Sequence, residues 1–338
     1  MGHSGVGGAT NTTSGFEPTT TGGQGGAGGF EACEGIENVA ELIPVSVFLQ
    51  IDKSLSMLND DKWSKSQSAF LTFFDDPLAQ KGLNIALRFW PDAGCDFGTC
   101  DANACAVPEV ALGALSNPQH VALLKTTFQN ETPLGVTPMS AALAGATQWA
   151  VARQLQVGSK EKVVVIFITD GEPTACDTNI DNIAAIAEGA YQSQQILTYV
   201  VGLAGSNVMQ LDTIANGGHT DKAFLIGNGN VQADLLAALQ KIQASVLKCA
   251  FEMPTSNDPN QIIDPKLVNV TYDPSVGEKV TLTQVSDLAS CGESTGSWYY
   301  DVPAKPEAIL LCPKTCETAQ ADLAGKLAIV LGCETLLK

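Results

Sequence analysis

Basic side chains are scarce in this sequence: 18 Lys and Arg stand against 36 Asp and Glu among 338 residues, a formal net charge of −18. A chain this acidic lacks the footprint that attracts a phosphate backbone, so nucleic acid is excluded as an expected partner. An anionic bilayer surface is disfavoured for the same reason. No run of 18 apolar residues occurs, so no segment is expected to cross a membrane as a helix. No G-x-x-x-x-G-K-[ST] motif is present, which removes that phosphate cradle. Histidine is rare too, and none of His3, His120 and His219 stands in a recognisable catalytic motif. What the chain does have is hydrophobic side chains, at 45%, enough for a sizeable core and incompatible with global disorder.

The ten cysteines include no C-x-x-C pair. Zinc ribbons require that spacing, so the cysteines read as disulfides formed in an oxidising compartment. An export signal needs a basic patch followed by an apolar stretch, and Met1–Ala32 has neither. Of these 32 residues 19 are Gly, Thr or Ser, the composition of a flexible linker. The expected location is extracytoplasmic (secreted, periplasmic or surface-anchored, a lipoprotein included), with the signal or anchor absent from this chain.

From Val45 onwards, short apolar runs alternate with longer amphipathic stretches. Val45–Ile51 reads as a buried strand ending in Asp52, and Trp63, Phe70, Phe73 and Phe74 recur at helical spacing. Leu83–Trp90 is the next strand, with Val110–Leu115 a weaker one. Helices are predicted near His120–Phe128, from Pro138, around Ile180–Ser193, near Val208–Ala215 and from Val231 to Val246. Lys162–Thr169 is the strongest strand, followed by Ile196–Leu203 and Ala223–Ile226. Strands without alternation, separated by helices, predict a doubly wound, mostly parallel α/β sheet with helices on both faces. After Cys249 the texture becomes β-rich, with strands at Val268–Tyr272, Lys279–Val285, Trp298–Tyr300, Ile309–Cys312 and Leu327–Leu331 and a helix around Glu317–Gly325. The expected organisation is a linker over 1–32, an α/β domain over 33–249 and a small Cys-rich α+β appendage over 250–338.

Three oxygen-rich segments follow strand ends or open a helix. They are Asp52-Lys-Ser54-Leu-Ser56, Gly135-Val-Thr137-Pro138 and Thr169-Asp170-Gly171. Hydroxyl and carboxylate oxygens are hard ligands, suited to Mg²⁺, Mn²⁺ or Ca²⁺. If the first strand runs upward, parallel pairing places Asp52 and Asp170 at the same end. A returning Val110–Leu115 strand then brings Thr137 to that end as well. Sites in such sheets form at the carboxyl ends of the strands.

These residues, in this order and with gaps of 81 residues from Ser56 to Thr137 and 33 to Asp170, resemble the metal-ion-dependent adhesion site of the von Willebrand factor A family. The resemblance implies that Ser54, Ser56 and Thr137 contact Mg²⁺ through their hydroxyls. Asp52 and Asp170 are implied to act largely through water and to orient the shell. One coordination position is implied to be left for an Asp or Glu of a protein ligand, which makes the chain a binding module and not an enzyme. Leu55 and Val136 stand where the family often has Gly. The alternative class is a phosphohydrolase of the haloacid-dehalogenase type, which wants a second Asp two residues after the first, where this chain has Ser54. A third reading is a structural module whose metal only stabilises the fold.

The same topology sorts the cysteines. Cys95, Cys100, Cys105 and Cys176 fall in loops at the candidate-site end, and Cys33 and Cys249 fall at the opposite end. Cys291, Cys312, Cys316 and Cys333 belong to the appendage. Two bridges beside the site, a Cys33–Cys249 clasp and two appendage bridges are expected, with Cys249–Cys333 as an alternative pairing.

Overall fold

The structure, a computed structural model, describes residues 36–39, 43–77, 79–80, 82–96, 98–227, 229–246, 250–254, 263–292, 295–322, 325–332 and 334–337. The expected 1–32 linker and Cys33, Cys249 and Cys333 lie outside the described residues. A short strand, β1 (Ile36–Val39), precedes β2 (Val45–Asp52). Strand β2 is buried at all eight positions, as the absence of alternation predicts for a strand covered on both faces. A 3₁₀ segment over Leu55–Asp61 leads to α1 (Lys62–Phe74), whose buried Trp63, Ser66, Phe70, Phe73 and Phe74 form one helical stripe. Next come β3 (Leu83–Trp90), the short α2 (Ala102–Cys105) and β4 (Val110–Ala114). Helix α3 (Pro118–Asn130) starts at Asn117, whose side chain accepts from the Gln119 N–H, with Pro118 in the first turn. After α4 (Met139–Val157) and β5 (Lys162–Thr169), α5 (Ile180–Gln194) is capped by Asn179, which accepts from the Asp181 and Asn182 N–H groups. The α/β part closes with β6 (Leu197–Gly202), α6 (Val208–Gly217), β7 (Phe224–Leu225) and α7 (Val231–Val246).

The first sheet has the order β4-β3-β2-β5-β6-β7. All neighbours are parallel except β4, which runs antiparallel to β3 as the returning strand was expected to do. One face buries Leu49, Ile51, Leu87 and Phe89 against Phe70 and Phe73 of α1, Phe128 of α3 and Leu239 of α7. The other face buries Phe48, Trp90 and Phe167 against Ala142 and Ala146 of α4, Ile183 of α5 and Leu211 of α6. The doubly wound sheet read from the sequence is the one the chain forms.

At the β3–β4 edge, His120 is buried and its Nε2 lies 2.9 Å from the Ile85 carbonyl. A carbonyl only accepts, so Nε2 carries the proton. A Cβ on Gly113 would stand 2.5 Å from Nδ1 of that ring. Gly113→Ala is therefore expected to cost about 1–3 kcal/mol by overpacking, read from a denaturant melt. Burial also pushes the His120 imidazole below its ordinary value. The unfolded ring takes up a proton below about pH 6.5 while the native ring resists it, so stability falls as pH drops through that range. His120→Gln is expected to flatten this slope between pH 6.5 and 5.

The second sheet contains β8 (Ala250–Glu252), β9 (Val268–Asp273), β10 (Val280–Gln284), β11 (Ser297–Tyr300), β12 (Ala308–Leu311) and, after α8 (Pro313–Ala321), β13 (Lys326–Leu331). Its order is β1-β13-β9-β10-β11-β12-β8, antiparallel apart from the β10–β11 pair. Strand β1, within the 33–249 stretch that the sequence assigns to the α/β domain, is hydrogen-bonded in this second sheet, with Ile36 opposite Leu331. Trp298 is fully buried, packs edge-on against Tyr300 at 5.0 Å and donates from Nε1 to the Leu282 carbonyl at 3.3 Å. It is a core residue. Helix α8 starts at Pro313, four residues before the predicted start, because proline suits the first helical turn. Cys291, in the segment between β10 and β11, is bridged to Cys312 at the start of α8, and Cys316 is disulfide-bonded too.

Candidate functional site

The carboxyl ends of β2 and β5 are neighbours, since Ile51 pairs with Ile168. Asp52 and Asp170 therefore leave the sheet side by side, and both are buried. The Asp52 carboxylate accepts from the Ser54 N–H at 2.7 Å through Oδ1 and from the Thr169 hydroxyl at 2.6 Å through Oδ2. Ser54 Oγ and Ser56 Oγ are 3.0 Å apart, and Ser56 Oγ donates to Asp170 Oδ1 at 2.7 Å. The turn leaving β2 thus sends alternate side chains into one crevice.

Thr137 comes in from the loop before α4. Its N–H donates to Thr174 Oγ1 at 2.9 Å, and its carbonyl accepts from the Thr174 N–H at 3.1 Å. The loop is held at its other end by Leu134 N–H to the Lys53 carbonyl at 2.7 Å and Leu55 N–H to the Gly135 carbonyl at 3.3 Å. Gly135 has φ +76°, and a Cβ there would come 2.8 Å from Pro91, so the turn requires glycine twice over. A Cβ on Gly171 would stand 3.5 Å from Thr137 Oγ1 and 3.8 Å from Ser56 Oγ. The two hydroxyls therefore bracket this glycine. All five residues singled out in the sequence, Asp52, Ser54, Ser56, Thr137 and Asp170, meet at one end of the sheet.

Burial is the main force pushing the Asp52 carboxyl up to about 7. The Thr169 and Ser54 hydrogen bonds pull it back, and the nearby Asp170 charge adds a smaller upward push. Among the described residues no three His, Cys, Asp or Glu side chains gather into a metal-binding group. The crevice has only two carboxylates, and its other oxygens are hydroxyls. Such a donor set fits a hard divalent cation and no soft one.

No protein-family model matches the chain, and no curated protein does. Solved structures do. The pilus adhesin SpaC of Lactobacillus rhamnosus GG matches with a TM-score of 0.50 at 12% identity, covering 87% of this chain and 39% of SpaC. The likeness is one of fold. The chain spans under half the length of that adhesin. The vWF domain of the type V pilus tip protein Mfa5 from Porphyromonas gingivalis has a TM-score of 0.42 at 14% identity, over 64% of this chain and 99% of that one. Manganese-loaded TRAP protein of Plasmodium vivax has a TM-score of 0.40 at 16% identity, over 73% and 96% of the two chains.

Three participants were missed in the sequence reading. Thr169 stands in one of the three oxygen-rich segments without an assigned role, and its hydroxyl holds Asp52. Thr174 fixes Thr137 from a loop with no pattern of its own. Lys62 is the largest omission, because its ammonium is hydrogen-bonded to Asp170 Oδ2 and the pair is buried. Lys62 also donates to the Ala204 carbonyl at 2.9 Å. Asp60 and Asp61, with φ of 55° and 56°, turn the chain sharply just before it. Two catalytic-looking patterns also stand in the sequence. Gly292–Gly296 spells G-x-S-x-G but leads into strand β11, not into the helix that a nucleophile elbow requires. Gly23–Gly28 spells G-x-G-x-x-G outside the described residues.

Cys95–Cys105 and Cys100–Cys176 are the two bridges beside the crevice. The second ties the Cys-rich loop after β3 to the loop after β5, two residues beyond Thr174. The expected Cys33–Cys249 clasp lies outside the described residues.

Proposed function

We propose that this chain is an extracytoplasmic binding module of the von Willebrand factor A type, which captures a protein partner through a divalent cation at the carboxyl end of its α/β sheet. The observation that carries the proposal is the convergence of three hydroxyls with two buried carboxylates from three separate segments. Ser54, Ser56 and Thr137 would hold Mg²⁺ (or Mn²⁺ or Ca²⁺), with Asp52 and Asp170 orienting the shell. When bound, a cation with few anionic ligands attracts an incoming Asp or Glu of the partner. The hydroxyls are neutral donors, so they leave most of that positive charge available.

The surroundings support a protein partner. Leu55, Leu58, Leu134 and Val136 are exposed on or beside the segments that build the crevice. Apolar side chains at the mouth of a polar site suit a protein surface better than a small solvated ion. The net charge of −18 opposes long-range steering toward an acidic partner, so attraction must be local or answered by a basic surround on the partner. The disulfides support an oxidising location. Phosphatase chemistry is disfavoured by Ser54, which stands where an acid/base Asp belongs.

Mg²⁺ or Mn²⁺ titration of thermal stability is the test. The wild type should gain stability with a saturable dependence reversed by EDTA, and Asp52→Ala should lose that response. An Asp52→Ala response equal to wild type would show that the metal is bound elsewhere. A pull-down from the native cell surface, with and without EDTA, then tests whether partner capture needs the cation.

A further inference from the structure

A buried lysine on a candidate metal ligand is a tethered cation in competition with any free one. Lys62 is 4% exposed and Asp170 is 2% exposed. The ammonium sits on Asp170 Oδ2, while Oδ1 takes the Ser56 hydroxyl. Both oxygens of Asp170 are therefore engaged from within the protein. The ammonium is fixed from the far side by the Ala204 carbonyl, in the loop between β6 and α6. Gly205, with φ +104°, lets that loop pass close by: a Cβ there would stand 3.5 Å from Lys62 Nζ and 3.2 Å from the Asp170 carbonyl oxygen. A side chain there would be strained by the positive φ and tight against the Asp170 carbonyl oxygen.

Two buried like-charged carboxylates without a counter-charge are costly, and an ion pair offsets that cost. We infer that Lys62 is a built-in counter-cation of the crevice, and that a divalent ion binds only by displacing its charge from Asp170. This inference rests on the metal-site reading above and deepens it, because it makes cation affinity a property set by Lys62. Its consequence is a weak, reversible site. The folded protein does not depend on metal, and the crevice loads only where the divalent ion is abundant or where a partner carboxylate adds to its binding.

Lys62→Met and Lys62→Gln remove the charge and keep most of the side-chain length. Each is expected to melt below wild type in EDTA, since Asp170 loses its counter-charge. Each should bind Mg²⁺ and Mn²⁺ about tenfold more tightly by calorimetry, since no ammonium has to be displaced. Lys62→Arg, which keeps the charge, should stay near the wild-type affinity. If either neutral variant folds only in the presence of Mg²⁺, that too supports the inference. Neutral variants that bind with the wild-type Kd overturn it while leaving the metal site intact. Absence of Mg²⁺ and Mn²⁺ binding in wild type and neutral variants alike overturns the metal-site reading itself. A wild-type measurement decides the matter if neither neutral variant folds under any condition. Hydrogen exchange at Ala204–Ser206 should rise with saturating Mg²⁺ as the lysine leaves the Ala204 carbonyl, and unchanged or slower exchange there overturns the inference.

Discussion

Replacing Phe128 with alanine is expected to destabilise the chain by about 3–5 kcal/mol, seen as a lower midpoint in a urea melt at unchanged slope. Phe128 is fully buried at the end of α3. Its ring meets Trp63 at 5.4 Å, Phe70 at 5.1 Å and, edge-on, Phe89 at 4.9 Å. Few sites in the fold join a helix to so many aromatic partners. Truncation would remove the contacts on all three sides and leave a cavity that these rigid rings cannot close, because they are anchored on α1 and β3. Phe128→Leu, which fills more of the space, should cost clearly less.

The same substitution should also reach the crevice. Trp63 donates from Nε1 to the Glu131 carbonyl at 3.2 Å, and Gln67 donates to the Phe128 carbonyl at 2.9 Å. These bonds hold the first turns of α1 to the end of α3, and Lys62 is the first residue of α1. Lys53, one residue after Asp52, is ion-paired with Glu131 and also buried. A loosened Phe128 therefore loosens both segments that bring charge to the site. Amide exchange in Lys62–Ser66 should accelerate in Phe128→Ala more than in β6, which lies on the far side of β5. Equal acceleration in the two would show that the loss is global and that α1 is not held locally through this cluster.

The parts of this arrangement that were legible in the sequence are those carried by short-range pattern. Val45–Asp52 and Lys162–Thr169 are continuous apolar runs, and such runs in alternation with helices specify a covered parallel sheet. Once the strands are parallel, Asp52 and Asp170 must share an end, and the five oxygen-bearing residues follow from topology alone. What escaped was pairing at long range without a pattern. Lys62 and Lys65 stand one turn apart on the same helix, and only the fold decides that the first is buried on Asp170 while the second donates to the Asp60 carbonyl at the surface. Ile36–Val39 is four residues long, too short for a period, and its partner Lys326–Leu331 lies near the other end of the chain. Ala250–Glu252 was passed over for the same reason, since three residues on an edge carry almost no signal. The cysteines fall between these cases. Their grouping beside the crevice was readable from topology, whereas the choice of Cys95–Cys105 and Cys100–Cys176 over the other pairings needed the loop geometry.

That second bridge gives the other large effect. Cys100 and Cys176 are 76 residues apart in sequence, and on the chain-entropy account a loop of that length stabilises by up to about 4–5 kcal/mol. A domain in the middle of the ordinary range of about 5–15 kcal/mol survives such a loss at 25 °C. The Cys100→Ser/Cys176→Ser double variant is therefore expected to keep its far-UV circular dichroism at that temperature while its melting point drops. Binding should suffer more than folding. Residue 176 sits two positions beyond Thr174, and Thr174 holds Thr137 through two hydrogen bonds, N–H to hydroxyl at 2.9 Å and N–H to carbonyl at 3.1 Å. Ser140, in the first turn of α4, accepts the Asp177 N–H at 3.1 Å on the other side of the bridge. With the bridge gone, the 171–177 loop keeps these bonds but loses its covalent anchor to the loop after β3, so Thr137 keeps its ties to the 53–55 turn (Leu134 N–H to Lys53 and Leu55 N–H to Gly135) but is held less tightly relative to Ser54 and Ser56. Cation affinity, which needs all three hydroxyls at once, should fall about tenfold or more under conditions where the sheet remains fully folded. Mild reductant on the wild type should give the same order of events. Loss of cation response and loss of near-native dichroism at the same reductant concentration would mean that the bridges hold up the whole sheet and not the loops that frame its crevice.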